Sequence, residues 1–207
     1  MRKILLLFFG LLFIASCGYG EGKIEEYHDN GQLASLGTAR KNFIYGKWQL
    51  HGLLKTFDKF GNLVSEENYV EGKLHGWYKN YFSNGKIETR GVFKHGHEDG
   101  YWEYFYENGS FFSKVNYKSP NGFHGKYVSF FENGNTKIAT NYYHHLIDGG
   151  YCVYYENGVL ATKGFYTKGK EHGKWEEYNE KGNLVARCTY HQGERIKEWE
   201  FFNHNKK

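Results

Sequence analysis

The amino-acid sequence predicts an all-β chain: an elongated antiparallel meander of about seven stacked β-hairpin repeats in a single-layer twisted sheet, with a C-terminal closing strand. Three observations carry this. Two glycines nine residues apart recur seven times, at a spacing close to 24 residues. Apolar bulk comes from 19 Tyr, 17 Phe and 5 Trp beside 27 Gly and a single Pro, a mixture that suits strands and tight turns better than helices. The second glycine usually follows Asn, and Asn-Gly between alternating apolar residues is the strongest short-range hairpin signal.

The opening glycines are Gly22, Gly52, Gly76, Gly100, Gly125, Gly149 and Gly173, and the turn glycines are Gly31, Gly61, Gly85, Gly109, Gly134, Gly158 and Gly182. Successive openers are 30, 24, 24, 25, 24 and 24 residues apart. The six extra residues of the first unit, and the one beside Pro120 in the fourth, belong in connections, where insertions cost little. Two residues after each opener the side chain is apolar: Ile24, Leu54, Tyr78, Trp102, Tyr127, Tyr151 and Trp175. The position five after is aromatic throughout, from Tyr27 to Tyr178. Asn30, Asn84, Asn108, Asn133 and Asn157 precede the turn glycine; Phe60 and Lys181 replace them in units two and seven. Each unit therefore reads as a hairpin with a type I′ turn, joined to the next by a connection of about six residues. Trp199 and Phe202 continue the register after Lys197, so residues 197–203 read as a closing half-unit that covers the last hairpin's edge. A lone hairpin is marginal in water, so the units must stack. Some 15 strands would make a ribbon roughly 70 Å long.

The start, MRKILLLFFGLLFIASCGYG, has two basic residues, a short apolar run and then Ala15-Ser16-Cys17. It reads as a signal peptide over residues 1–16, too short for a confident membrane span. Residues 14–17 resemble a bacterial lipobox. That resemblance implies cleavage before Cys17, lipidation of Cys17, and a bacterial cell-envelope location on either the inner or the outer membrane; an ordinary secretory signal and an uncleaved anchor are the alternatives. Residues 17–21 would form the lipidated N-terminus and a short linker, 22–203 the repeat array, and 204–207 a tail.

The formal charge is +4, and losing Arg2 and Lys3 leaves +2. Nothing here recruits nucleic acid or acidic lipid by charge. The remaining cysteines, Cys152 and Cys188, lie about three strands apart in this register, beyond disulfide reach, and are expected free. His51, His75, His124 and His172 precede opening glycines, with Asp99 and Asp148 in the same column. Neighbours in that column are two strands apart, about 9.6 Å, too far to share an ion, so the expected role is bonding of turn amides. His95, His97, His144 and His145 fall in connections. Glu107, Glu132, Glu156 and Glu180 form a ladder rather than a catalytic pair, and are likewise expected to accept from turn amides. No nucleophile elbow, phosphate loop or zinc motif occurs. The expectation is no catalysis, no metal and no cofactor.

The aromatic residues carry the binding expectation. Positions two, four and six after the opener would share a face in an alternating strand. The sixth position turns polar at Asp58 and Asn179 while staying aromatic through the middle units. Phe82, Trp102, Tyr104, Tyr106, Phe131 and Tyr155 are therefore the candidate binding residues, since an exposed aromatic stripe marks a protein, peptide or glycan surface.

The phrases HGWYKNYFSNGKIETRGVFKHG, GYWEYFYENGSFF, GYCVYYENGVLATKGFYTKGKEHG and GKWEEYNEKGNLVARCTYHQG resemble the bacterial variant of the MORN repeat over residues 22–203. The resemblance implies stacked hairpins in one antiparallel layer and a role in recognition or scaffolding. Such arrays are often labelled as YwqK-type antitoxins, but an antitoxin's partner does not follow from one chain. The expectation is an anchored module binding a protein. A surface glycan binder and an immunity-like protein neutralising a toxin are the alternatives.

Overall fold

The computed structural model describes residues 20–42, 45–118, 120 and 122–202. The expected signal peptide over residues 1–16, the lipidation candidate Cys17 and residues 203–207 lie outside them. The described residues contain strands and no helix, so none is long and apolar enough to cross a membrane.

The described residues fall into two compact units, divided between Glu98 and Asp99. The first holds β1 (Glu21–Tyr27), β2 (Leu33–Lys41), β3 (Trp48–Leu50), β4 (Gly52–Phe57), β5 (Leu63–Val70), β6 (Lys73–Tyr81) and β7 (Ile87–Lys94). The division falls at the start of β8 (His97–Phe105). The second unit continues with β9 (Phe111–Tyr117), β10 (Phe123–Phe130), β11 (Thr136–Tyr143), β12 (Leu146–Tyr154), β13 (Leu160–Thr167), β14 (Lys170–Tyr178), β15 (Leu184–His191) and β16 (Glu194–Phe201). In each unit, strands consecutive in sequence pair antiparallel, except that β3 and β4 both pair β2. The seven expected hairpins are present: β1/β2, β4/β5, β6/β7, β8/β9, β10/β11, β12/β13 and β14/β15. β16 closes the array on β15, and the Phe202 N–H donates to the Val185 carbonyl. Both insertions fall in connections. The Asn42 N–H donates to Lys47 in the first, and the Lys118 N–H donates to Gly122 beside Pro120.

The turn chemistry is the reverse of the expectation. At Asn84-Gly85 the Phe82 N–H donates to the Lys86 carbonyl at 2.8 Å and the Gly85 N–H to the Phe82 carbonyl at 2.9 Å. Only Gly85 has positive φ, at 79°. This is a type I turn followed by a left-handed glycine, a three-residue loop, and it repeats in all seven hairpins. A type I′ turn would need positive φ at the Asn as well. Type I′ turns occur instead between repeats, where the connection is two residues rather than six. Glu71 and Gly72 have φ 51° and 76°, His95 and Gly96 53° and 87°, Lys168 and Gly169 51° and 80°. Their backbone twist matches that of the flanking strands. Most turn glycines here donate to the preceding repeat, as Gly72 N–H does to Leu50 and Gly169 N–H to Ile147.

The repeat has two unlike faces. Positions 2, 4, 13, 15 and 17 after the opener lie on one, which we call the closed face; positions 1, 3, 5, 11, 14 and 16 lie on the other, the open face. Among the described residues, every buried one sits on the closed face, including Ser35, Ala39, Ser65, Trp102, Ser113, Val115, Ser129, Thr140, Trp175, Ala186 and Cys188. Large rings at position 2 stand beside small side chains at position 15, as in Trp102 opposite Val115 and Tyr151 opposite Gly164. Tyrosines at position 17 close the row: Tyr166 meets Trp175 edge-on at 5.2 Å between ring centres. In a single-layer sheet this ring-on-ring cover is what excludes water.

Candidate functional site

The turns are held by side chains as well as backbone. The Oδ1 atoms of Asn30, Asn84, Asn108, Asn133 and Asn157 accept the N–H two residues on, at 2.8–3.1 Å. Where Phe60 and Lys181 replace Asn, the acceptor moves two residues back: Asp58 accepts from Phe60 and Asn62, and Asn179 from Lys181 and Asn183. The polar switch at Asp58 and Asn179 is thus compensation within the turn. Amide Nδ2 atoms bridge repeats, from Asn30 to the Lys59 carbonyl at 2.8 Å and from Asn133 to the Glu156 carbonyl at 3.0 Å. Glu156 and Glu180 of the glutamate ladder thus serve the turns through backbone carbonyls, while the turn amides are taken by Asn. The Glu132 carboxylate accepts from Asn108 Nδ2 at 3.4 Å.

The six candidate aromatics divide. Trp102, 3% exposed, and Tyr104, opposite Ser113, belong to the closed face. Phe82, Tyr106, Phe131 and Tyr155 stand half-buried at the turns. The Tyr106 hydroxyl donates to the Phe130 carbonyl at 2.9 Å and the Tyr155 hydroxyl to Tyr178 at 2.7 Å, so both tie one repeat to the next. Lys137 lies over the Phe131 ring at 5.5 Å.

Exposed apolar side chains gather on the open face. In the first unit these include Tyr27, Leu53 and Trp77, the last 63% exposed; in the second they include Tyr101, Phe111, Tyr143 and Phe165. Position 1 after the opener supplies three of them, and its column reads Lys23, Leu53, Trp77, Tyr101, Lys126, Gly150 and Lys174. The signal that sequence reasoning missed is this variability: a column that changes freely is not required by the fold. Ion pairs grip the strands between them. Glu66 accepts from Lys55 at 2.9 Å, Lys79 at 3.4 Å and the Tyr81 hydroxyl at 2.9 Å. Lys55 and Tyr81 hold the Glu66 carboxyl below its usual range, against the opposing effect of burial. Burial, with Glu66 beside it, pushes the Tyr81 phenol up to about 12. Lys114–Glu103 and Lys163–Glu176 repeat the pattern at 3.0 and 2.8 Å.

Histidines pair across repeats, His75 with His95, His124 with His144 and His172 with His191, at 4.9, 5.8 and 5.2 Å between ring centres. The His95 backbone N–H points to His75 Nδ1 at a long 3.5 Å, the turn-amide contact expected of this column. Among the described residues no three His, Cys, Asp or Glu converge as metal ligands would. Cys152 and Cys188 are unbridged, on opposite faces of the sheet.

No curated protein matches the chain. Among solved structures, the one described as "Crystal structure of GtfA/B complex bound to UDP and GlcNAc" is 16% identical, with a TM-score of 0.23; the match covers 57% of this chain and 23% of that one. The family model "MORN repeat variant" matches residues 20–40, 50–71, 74–95, 98–119, 123–142, 148–168 and 171–192. Each match contains one of the hairpins or nearly all of it, in the register of the opening glycines, and the chain belongs to the MORN repeat variant family.

Proposed function

We propose that this repeat protein is a non-catalytic, lipid-anchored envelope module that binds another protein through its open face. The observation that carries the reading is the asymmetry of the repeat: the described buried residues lie on one face, while Tyr27, Leu53, Trp77, Tyr101, Phe111 and Phe165 stand exposed on the other. A repeat needs only one face to cohere, and exposed rings rimmed by charged residues suit a partner. MORN repeats often serve binding or scaffolding. Anchoring rests on the lipobox-like residues ending at Cys17, and palmitate labelling that persists in Cys17→Ala removes it.

The binding test is crosslinking from photoreactive residues placed separately at Trp77 and Tyr101, with the same residue at Trp102 as control. The reading expects a defined polypeptide from the open-face positions only. Equal yield from Trp102, or none from either open-face site, overturns it. A glycan partner is the second reading, favoured by the flat exposed rings of Trp77 and Tyr101. Sugar-array signal lost in Tyr101→Ala, with no crosslinked protein, would replace the first reading by it.

A further inference from the structure

Gly150 has no structural reason to be glycine. Its neighbour Gly149, at φ 115°, already supplies the left-handed residue of the strand irregularity, whereas Gly150 does not have positive φ. A Cβ built on Gly150 meets nothing within 4 Å. Glycine inside a strand costs about 0.5–1 kcal/mol relative to alanine, and marks a bulge, a bend or the close approach of another chain. The first two are accounted for by Gly149.

The surroundings of Gly150 depart from the rest of the open face. Positions 3 and 14 elsewhere in the second unit carry Glu103 with Lys114, and Lys163 with Glu176. Across β10, β11 and β12 they become Val128, Ala139 and Cys152, paired directly side by side. Phe165, 45% exposed, faces Gly150 across the ladder, and Tyr143 and Leu146 stand exposed nearby on the same face. The result is a stretch of small side chains with open space at Gly150, a hollow with exposed Phe165 beside it and Lys114 and Lys163 paired to Val128 and Cys152 at its sides. Lys126, Lys170 and Lys174 are exposed around it, against the half-buried Asp148 and Glu171. The opposite, Asn-Gly edge of this unit carries the exposed carboxylates Glu107, Glu132, Glu156 and Glu180. Lys137 and Lys181 stand exposed among those carboxylates, so that edge is mixed, whereas lysines outnumber carboxylates around the hollow.

Resting on the protein-binding reading above, we propose that the hollow at Gly150 receives an apolar side chain from an acidic polypeptide segment, whose carboxylates face Lys126, Lys170 and Lys174. Anchors of this kind, an apolar side chain in a desolvated socket within a charged rim, dominate interface energetics.

The test uses the mature chain and two labelled peptides, one alternating Glu with Leu and one alternating Lys with Leu, followed by fluorescence anisotropy at low and physiological salt. The Glu peptide is expected to bind, more weakly as salt rises, and the Lys peptide not to bind. Gly150→Trp, compatible with a strand, fills the hollow and should weaken binding at least about tenfold, or about 1.4 kcal/mol. Lys126→Glu with Lys174→Glu should weaken it comparably. Unchanged melting temperature verifies each variant's fold. Failure of both peptides to bind, or equal affinity for Gly150→Trp, overturns the proposal. So does concentration-dependent self-association abolished by Gly150→Trp, because the occupant is then the carboxylate-bearing edge of a second copy. A crosslinked partner unaffected by Gly150→Trp would sink this socket while leaving the general reading intact.

Discussion

Gly164 and Gly150 lie one residue out of step on paired strands, and their contrast tests the assignment of faces. At Gly164, on the closed face, a Cβ would sit 2.3 Å from two ring carbons of Trp175 and 2.6 Å from a third. Ordinary contact begins a full ångström further out, so the indole must move. Yet Trp175 is wedged between Tyr151, Tyr166 and Tyr190, with ring centres 5.2–6.1 Å away. Overpacking of this kind costs about 1–3 kcal/mol, and the severity of the overlap places it at the upper end. Replacing a strand glycine returns about 0.5–1 kcal/mol. Gly164→Ala should therefore lose about 2 kcal/mol, while Gly150→Ala, with open space, should gain about 0.5–1 kcal/mol. Urea denaturation followed by far-ultraviolet circular dichroism and tryptophan fluorescence measures both. Trp175→Leu in the Gly164→Ala background should recover part of the loss, giving a favourable coupling energy. A neutral Gly164→Ala, or a Gly150→Ala as damaging as Gly164→Ala, would refute the arrangement of faces.

Other perturbations follow from the turns and ion pairs. Asn133→Ala removes one bond within its turn and one to the next, and should cost about 1–2 kcal/mol by denaturation. Lys181→Asn should be near neutral, because Asn179 already accepts the two amides. Lys168→Asn, at φ 51°, should raise stability by about 0.5–1 kcal/mol, since Asn tolerates the left-handed region better than Lys. The depressed Glu66 carboxyl contributes stability that is present above its unfolded value and is lost as pH falls through its folded value. Wild type should therefore lose stability relative to Glu66→Gln as acid is added, by about 1 kcal/mol at most; parallel acid curves would dismiss the Glu66 pairing as irrelevant.

The repeat was legible because glycine spacing and aromatic columns are set by backbone geometry, which every unit must satisfy. Turn type was not legible. Asn-Gly suits a type I′ turn, but the same dipeptide closes a three-residue loop when the Asn side chain caps the amide beyond it, and sequence alone does not count the loop residues. The true type I′ turns were hidden behind Glu71, His95, Lys168 and Gln192, none of which advertises positive φ. The compensation between Asp58 and Phe60 was readable as a correlated pair of departures, though each looks like mere decay when taken singly. The open face was missed for a related reason: alternation sorts residues into two sets but does not say which set is covered. That decision lies in size matching across the ladder, Trp102 with Val115 or Tyr151 with Gly164, which needs the register.

This division of labour bears on how such a chain acquires a function. On the closed face, substitutions meet rings, and the column opposite position 2 is confined mostly to small side chains: Gly37, Gly91, Val115, Thr140, Gly164 and Cys188. Position 1 on the open face holds lysine, leucine, tryptophan, tyrosine or glycine with the same backbone beneath it. Specificity can therefore be written on one face without disturbing the other. Tyr106 and Tyr155, despite their aromatic character, are committed to coherence through their bonds to the next repeat. Replacing Tyr155 by Phe should loosen the join between repeats while leaving open-face binding intact; replacing Phe165 by Ala should do the opposite. If both changes moved the same observable, stability and recognition would share residues, and the separation of faces would not be the organising feature of this sheet.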